Sequence, residues 1–175
     1  MRKLLLLIGL TLWAATAGAQ EIKHLEFEGL QVDGTVSSFV RRLSEKGFKQ
    51  EKGTAILYGK VLGRQATVTV ASTPDGNMVY LVLVTYQNKK RWDDVHNCYE
   101  SMRMQLEARY GPPILFKEEF DSPLAEADPI QALQYGNCTF ASHFKADGGE
   151  IILSISKEAV VEIYFVDTSN SVSLY

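Results

Sequence analysis

The chain has 175 residues, of which 46% are hydrophobic, and a formal net charge of −3. This length and composition are typical of one domain with a single hydrophobic core. Because the basic run at 89–91 is short and isolated, the sequence lacks the basic face that nucleic-acid binding requires.

The first 19 residues have the three parts of a secretory signal peptide. Two basic residues precede an apolar run at 4–13, and the small residues of 17–19 predict cleavage before Gln20. The apolar run is too short to cross a bilayer. We therefore expect an exported chain, periplasmic or secreted, in which residues 20–175 form a single domain without a membrane span.

The first half of this domain is predicted to contain one strand, one helix and then three strands. Residues 24–32 alternate as a half-buried strand does, until a glycine breaks the phase. A helix then begins after the N-cap Thr35 and ends before Gly47, with apolar residues at helical spacing. The strands expected next lie at 54–60, 64–72 and 78–86, the last apolar on both faces and hence central in its sheet.

A second helix opens the second half of the domain. It is predicted over 91–110, with an apolar stripe along one side and a Gly-Pro-Pro stop after it. The elements expected after it are a strand at 114–120, a surface loop at 121–128, a short helix from Asp128-Pro129 to Tyr135, strands at 138–145, 150–156 and 160–167, and a loosely held end at 168–175.

This order of elements predicts the α+β class. Strands joined by short turns form antiparallel sheet, and the two long helices bury their apolar sides against one face of it. One helix precedes each set of three strands, which suggests a duplicated helix-plus-three-strand unit. The residues expected to meet between helices and sheet are Phe39, Leu43, Val95, Tyr99, Met102 and Leu106 against Leu83, Ile151, Leu153 and Ile163, or against the neighbouring side of those strands.

Three segments resemble small exported bacterial proteins of unknown function: ARYGPP at 108–113, GEIIL at 149–153 and YFVDTSN at 164–170. The order of elements is also similar to tandem helix-plus-sheet folds such as the β-lactamase inhibitor protein and outer-membrane assembly lipoproteins. Those proteins act by binding other proteins, so the resemblance implies an interaction domain and assigns no functional residue. The lipid-anchoring cysteine of the assembly lipoproteins is absent from this sequence.

The chain has two cysteines, Cys98 and Cys138. In an oxidising compartment an even number of cysteines is compatible with a disulfide between them. Two buried thiols that pack as small hydrophobic side chains are the alternative. The sequence leaves both open, although a helix packed on the sheet can bring the two residues together.

No motif of known catalytic, metal-binding or cofactor-binding chemistry occurs in the sequence. The three histidines lie in different predicted elements. The acidic group Glu118, Glu119 and Asp121 lacks the ligand alternation and the glycine of a calcium loop, so we interpret it as a solvated strand end. The sequence therefore predicts no cofactor, no metal site and no catalytic residue.

Aromatic side chains on the predicted strands are the remaining feature. If several share the face that the helices leave uncovered, they form a binding platform, because tyrosine offers contact area and a hydroxyl. The tyrosines of this candidate surface are Tyr58, Tyr80, Tyr86 and Tyr164. The leading hypothesis is a non-enzymatic binding domain of the bacterial envelope; the sequence does not identify its partner, for which another envelope protein is one candidate. The alternatives are a small-ligand carrier with an interior pocket and a hydrolase with a site assembled from scattered residues.

Overall fold

The computed structural model describes residues 23–74, 78–87 and 91–171. The predicted signal peptide, its cleavage site and the last four residues lie outside these described residues. Over the described part of the chain the fold is of the α+β class, with two antiparallel sheets and five helices. None of these five helices has an apolar stretch of the length that a membrane crossing requires.

The predicted elements from position 54 onward are present to within two residues at each end. The helices are α1 (Val36–Glu45), α2 (Trp92–Tyr110), α3 (Pro123–Ala127), α4 (Pro129–Tyr135) and α5 (Thr168–Ser171). The strands are β1 (Glu26–Phe27), β2 (Leu30–Gln31), β3 (Lys49–Gln50), β4 (Ile56–Val61), β5 (Arg64–Ser72), β6 (Val79–Tyr86), β7 (Leu115–Phe120), β8 (Cys138–Ala146), β9 (Gly149–Ile155) and β10 (Val161–Asp167).

Three segments differ from the prediction. The first, 24–32, is a hairpin of β1 and β2 and not one strand, because Glu28 and Gly29 both take positive φ values. The other two were expected to be irregular and contain the short helices α3 and α5. Helix α3 begins at the N-cap Ser122, whose side chain accepts a hydrogen bond from the Ala125 amide.

The main sheet has eight antiparallel strands in the order β3-β4-β5-β6-β10-β9-β8-β7. Each half contains a three-strand meander, β4-β5-β6 or β8-β9-β10, with the strand before it at the outer edge. Helix α1 precedes one half and α2 the other, and the halves meet where β6 pairs with β10. The fold thus consists of two tandem helix-plus-four-strand units. The sequence predicted all four strands of the second unit but not β3 of the first.

One face of this sheet holds the core. The side chains of α1 and α2 that the sequence assigned to the core are all buried on this face, which confirms that prediction. Of their four predicted partners on the sheet, the three on β9 and β10 are buried, whereas Leu83 lies on the opposite face. Because side chains alternate along a strand, its neighbours Val82 and Val84 take the core positions of β6.

Buried polar groups attach the N-terminal segment to the end of β10. The fully buried Asp167 carboxylate accepts hydrogen bonds from the backbone amides of Leu25 (2.7 Å) and Asn170 (2.8 Å). The Asn170 side chain donates in turn to the carbonyls of Val32 and Val79. These bonds satisfy polar groups that would be costly to bury without partners. The end of the chain is therefore held firmly as far as residue 171, contrary to the prediction.

Candidate functional site

An open cleft of about 640 Å³ lies where the start of α2 faces the end of β7 and the start of α3. Four rings line it, from Trp92 and His96 of α2, Phe120 of β7 and Phe140 of β8. The Trp92 ring centroid is 5.0 Å from that of Phe140, 5.7 Å from Phe120 and 5.1 Å from His96. Because Phe140 is buried and the other three residues are half-buried, the cleft presents an aromatic wall to solvent.

Local structure explains why these rings meet. Trp92 is the first residue of α2, and His96 follows four positions later, so the two lie on the same side of the helix. The β7–β8 register places Glu118 opposite Phe140, and alternation turns Phe120 to the same face. Trp92 contacts the two phenylalanine rings at interplanar angles of 61° and 67°, an edge-to-face geometry that aromatic pairs prefer.

The rim of the cleft is acidic. Glu118, Glu119, Asp121 and Glu126 line it, and the described lining contains no lysine or arginine. Because side chains alternate along β7, the Glu119 carboxylate lies on the other face of the sheet, where it forms an exposed ion pair with Lys117 at 2.7 Å. The negative charge of the rim therefore comes from Glu118, Asp121 and Glu126. Carboxylates and aromatic faces both attract positive charge, so the chemistry of the cleft favours a cation.

Glu118 connects the cleft to a polar network under α2. Its carboxylate lies 3.5 Å from the guanidinium of Arg103, which also contacts Glu100 at 2.6 Å and Glu107 at 3.3 Å. Burial and then the negative charge of Glu100 raise the pKa of Glu118, against the opposing effect of Arg103. The hydrogen bond from Arg103 lowers the pKa of Glu100. One cation therefore serves three carboxylates, and the charge of Glu118 is only partly compensated.

A buried hydroxyl pair extends this network to the middle of the sheet. The Tyr99 hydroxyl and Ser142 Oγ are 2.8 Å apart, and both residues are fully buried. Burial raises the pKa of Tyr99, so the phenol stays protonated and the pair is a neutral hydrogen bond. Because Ser142 lies on β8, this bond fixes the position of α2 over that strand and thereby positions Trp92 and His96.

Of the two possibilities that the sequence left open for the cysteines, the disulfide is not formed: Cys98 and Cys138 are both buried and no bond joins them. Cys98 lies on the side of α2 near β6, where burial and then this thiol raise the pKa of Tyr86. Cys138 begins β8, and β10 and β9 lie between β6 and β8. Three strand spacings amount to about 14 Å, whereas a disulfide needs Cα atoms about 4.4–6.8 Å apart. The alternative of two buried thiols describes the structure.

The four tyrosines of the candidate platform do not form one surface. Tyr86 is buried on the core face, where its hydroxyl donates to the Val61 carbonyl at 3.1 Å. Tyr58 is exposed and Tyr164 half-buried on the uncovered face, but β5 and β6 separate their strands. Tyr80 lies half-buried where the β5–β6 register shifts. Side chains alternate between the two faces along a strand, and the sequence analysis did not assign a face to each of the four tyrosines.

The other two histidines lie away from the cleft. His24 Nδ1 is 3.2 Å from the Asp167 carboxylate, within the polar groups that hold the N-terminal segment. His143 lies on the uncovered face of β8, opposite Leu115 of β7. Over the ranges that the structure describes, no group of three or more His, Cys, Asp or Glu residues could hold a metal ion.

Sequence reasoning missed the cleft. It noticed the acidic residues at the end of β7 but interpreted them as a solvated strand end, and it did not single out Trp92 or Phe120. A tryptophan in the first turn of a helix is a weak signal, because nothing local indicates which strand it will face. Comparison of the chain with protein-family models, with curated proteins and with solved structures found no match.

Proposed function

We propose that this chain is a non-enzymatic binding protein of the bacterial envelope, and that its cleft takes a lysine or arginine side chain of a partner protein. The observation that supports this most is the meeting of an aromatic wall and an acidic rim at one opening. A cation there contacts the faces of Trp92 and Phe120 and is attracted by the carboxylates. The net negative charge of the chain adds attraction at longer range.

The roles of the polar groups in the cleft favour binding over catalysis. His96 packs against the rings of Trp92 and Phe140, and Arg103 pairs with Glu118. The described lining contains no cysteine or lysine, and its serine, Ser122, uses its side chain to cap α3. General acid–base or nucleophilic catalysis needs a reactive group oriented by a neighbouring base, and these contacts engage the groups in structural bonds.

A protein partner suits the shape of the cleft better than a carried small molecule. Carriers enclose most of the surface of their ligand, whereas this cleft is open to solvent and fits a side chain that projects from a larger surface. The predicted signal peptide supports a location in the envelope. The likeness in element order to folds that bind proteins points the same way, as an analogy of fold.

The fluorescence of Trp92 tests the proposal. The chain has two tryptophans, Trp13 and Trp92, so in the Trp13→Phe variant all tryptophan emission comes from the cleft. Titration with a tetralysine peptide should change this emission to saturation, and the affinity should fall as salt is added. A tetraglutamate peptide of the same length should leave the emission unchanged. An equal response to both peptides, or no response to tetralysine, would contradict the proposal.

A matched pair of variants locates the binding site. Glu126→Gln removes one charge from the rim and should weaken tetralysine binding by about 1.5-fold to 5-fold, the range of exposed charge pairs. Glu45→Gln removes the same charge from the exposed end of α1, away from the cleft, and should leave the affinity unchanged. Equal losses in the two variants would mean that tetralysine responds only to the net charge of the protein.

A further inference from the structure

The two edges of the main sheet differ in length and chemistry. At one edge β3 has two polar residues, Lys49–Gln50, whereas at the other β7 has six residues and no described strand on its outer side. Leu115 and Phe116 of β7 are 49% and 52% exposed, and the preceding Ile114 is 63% exposed. A long edge strand with exposed apolar side chains is a template on which another strand can pair.

The register of β7 shows which of its main-chain groups are available for this pairing. The Asp121 amide donates to the Asn137 carbonyl at 2.9 Å, one position beyond the last residue pair of the β7–β8 ladder. Because bonded and non-bonded pairs alternate in antiparallel sheet, the odd-numbered residues of β7 bond towards β8. The amides and carbonyls of Phe116, Glu118 and Phe120 are therefore directed to the open side.

The sequence of this edge is complementary to its own reverse. Residues 116–120 read FKEEF, so an antiparallel copy with Glu118 opposite Glu118 places Phe116 opposite Phe120 and Lys117 opposite Glu119. This register pairs the residues whose main-chain groups are directed outward, and it keeps each side chain on its own face of the sheet. In this register the Lys117–Glu119 ion pair and the Phe116–Phe120 contact each form twice, once on either side of a two-fold axis. About six main-chain hydrogen bonds join the two strands.

The two neighbouring registers that keep each side chain on its own face are unfavourable. One places Lys117 opposite its own copy and the other places Glu119 opposite its own copy, so like charges face each other in both. Like charges directly opposite each other destabilise a strand pair. The charges of β7 therefore oppose pairing with strands in general but select one register with a second copy.

We propose that two copies of this chain associate edge to edge through β7, which joins their eight-stranded sheets across a two-fold axis at Glu118. The assembly closes at two copies, because β3 at the other edge is short and polar. Its one unfavourable contact is Glu118 against Glu118 on the axis. Glu118, Glu119 and Phe120 of this pairing also line the cleft, but the association is argued from the main-chain groups and the charge order of β7 and does not require a bound cation.

Charge reversal tests this register. Analytical ultracentrifugation of the full chain over a range of concentrations should show a monomer–dimer equilibrium. Lys117→Glu and Glu119→Lys each place like charges opposite each other at both ends of the pairing and should weaken association by roughly tenfold. The double variant K117E/E119K restores opposite charges and should return to within about threefold of the wild-type dissociation constant. Glu118→Gln removes the repulsion on the axis and should strengthen association.

Lys60→Glu serves as the matched control, because it makes the same charge change at an exposed position on β4, away from β7. Association should be unchanged in this variant, and circular dichroism should show that every variant keeps its fold. A wild-type chain that stays monomeric at millimolar concentration, or a double variant no stronger than the single ones, would overturn the proposal. Because the dimer is measured by mass and the cleft by Trp92 emission in dilute protein, either proposal can fail alone.

Discussion

The buried hydroxyl pair between α2 and β8 gives a sensitive test of how the helix packs. In the Tyr99→Phe variant, Ser142 loses the partner 2.8 Å away and stays fully buried. The residues directly beside Ser142 on the next three strands are apolar: Leu153 on β9, Ile163 on β10 and Val84 on β6. An unsatisfied buried hydroxyl costs about 1–3 kcal/mol, so the free energy of unfolding should fall by that amount.

The reciprocal change and the double variant isolate the interaction. Ser142→Ala should cost less than Tyr99→Phe, because Glu118 also lies within reach of the Tyr99 hydroxyl. The double variant removes both polar groups and should lose at least about 1 kcal/mol less than the sum of the single changes. Urea unfolding measures the free energy of unfolding of each variant, from the shift in the urea midpoint at an unchanged dependence of that free energy on urea concentration. Losses that simply add would refute the pairing of α2 with β8 and the placement of Trp92 derived from it.

Three further predictions concern single positions. Glu118→Gln should stabilise the fold near pH 7, because the raised pKa of Glu118 means that the folded state disfavours the ionised carboxylate. This gain, measured by thermal unfolding, should vanish as the pH falls towards about 4, and the exposed Glu119→Gln variant is the control. Leu106→Ala should cost about 2–5 kcal/mol in urea unfolding, because the side chain is 1% exposed; a loss below about 1 kcal/mol would mean that the site is not enclosed. Thiol titration of denatured, unreduced protein should detect both Cys98 and Cys138, and a result of no thiols would contradict the structure.

Helix α1 shows how much of the fold local sequence can predict. Thr35 accepts the N-cap hydrogen bond from the Ser38 amide. Gly47, which the sequence placed just past the helix, takes a φ of 97°, and the Phe48 amide donates to the Leu43 carbonyl at 3.2 Å, the bond of a Schellman ending. Each of these contacts joins residues within about two turns of chain. Chain neighbours alone therefore determine where this helix begins and ends.

The cleft depends on contacts that the local sequence does not specify. Trp92 and Phe140 are far apart in the chain, and they meet because the strand order places β8 next to β7 under the start of α2. The same long-range order separates Cys98 from Cys138, for which the sequence left a disulfide and two buried thiols open. Periodicity predicts which element a residue belongs to, but strand order and phase decide which side chains share a surface.

Proton NMR with tetramethylammonium tests cation binding in the cleft most directly, because this probe is a small cation without hydrogen-bond donors. Its methyl protons should shift upfield as they enter the ring currents of Trp92 and Phe120, and nuclear Overhauser contacts should connect them to the Trp92 indole. The neutral probe tert-butanol, of similar shape, should show neither effect. Equal shifts for the two probes, or contacts only to residues outside the cleft, would contradict the proposed function.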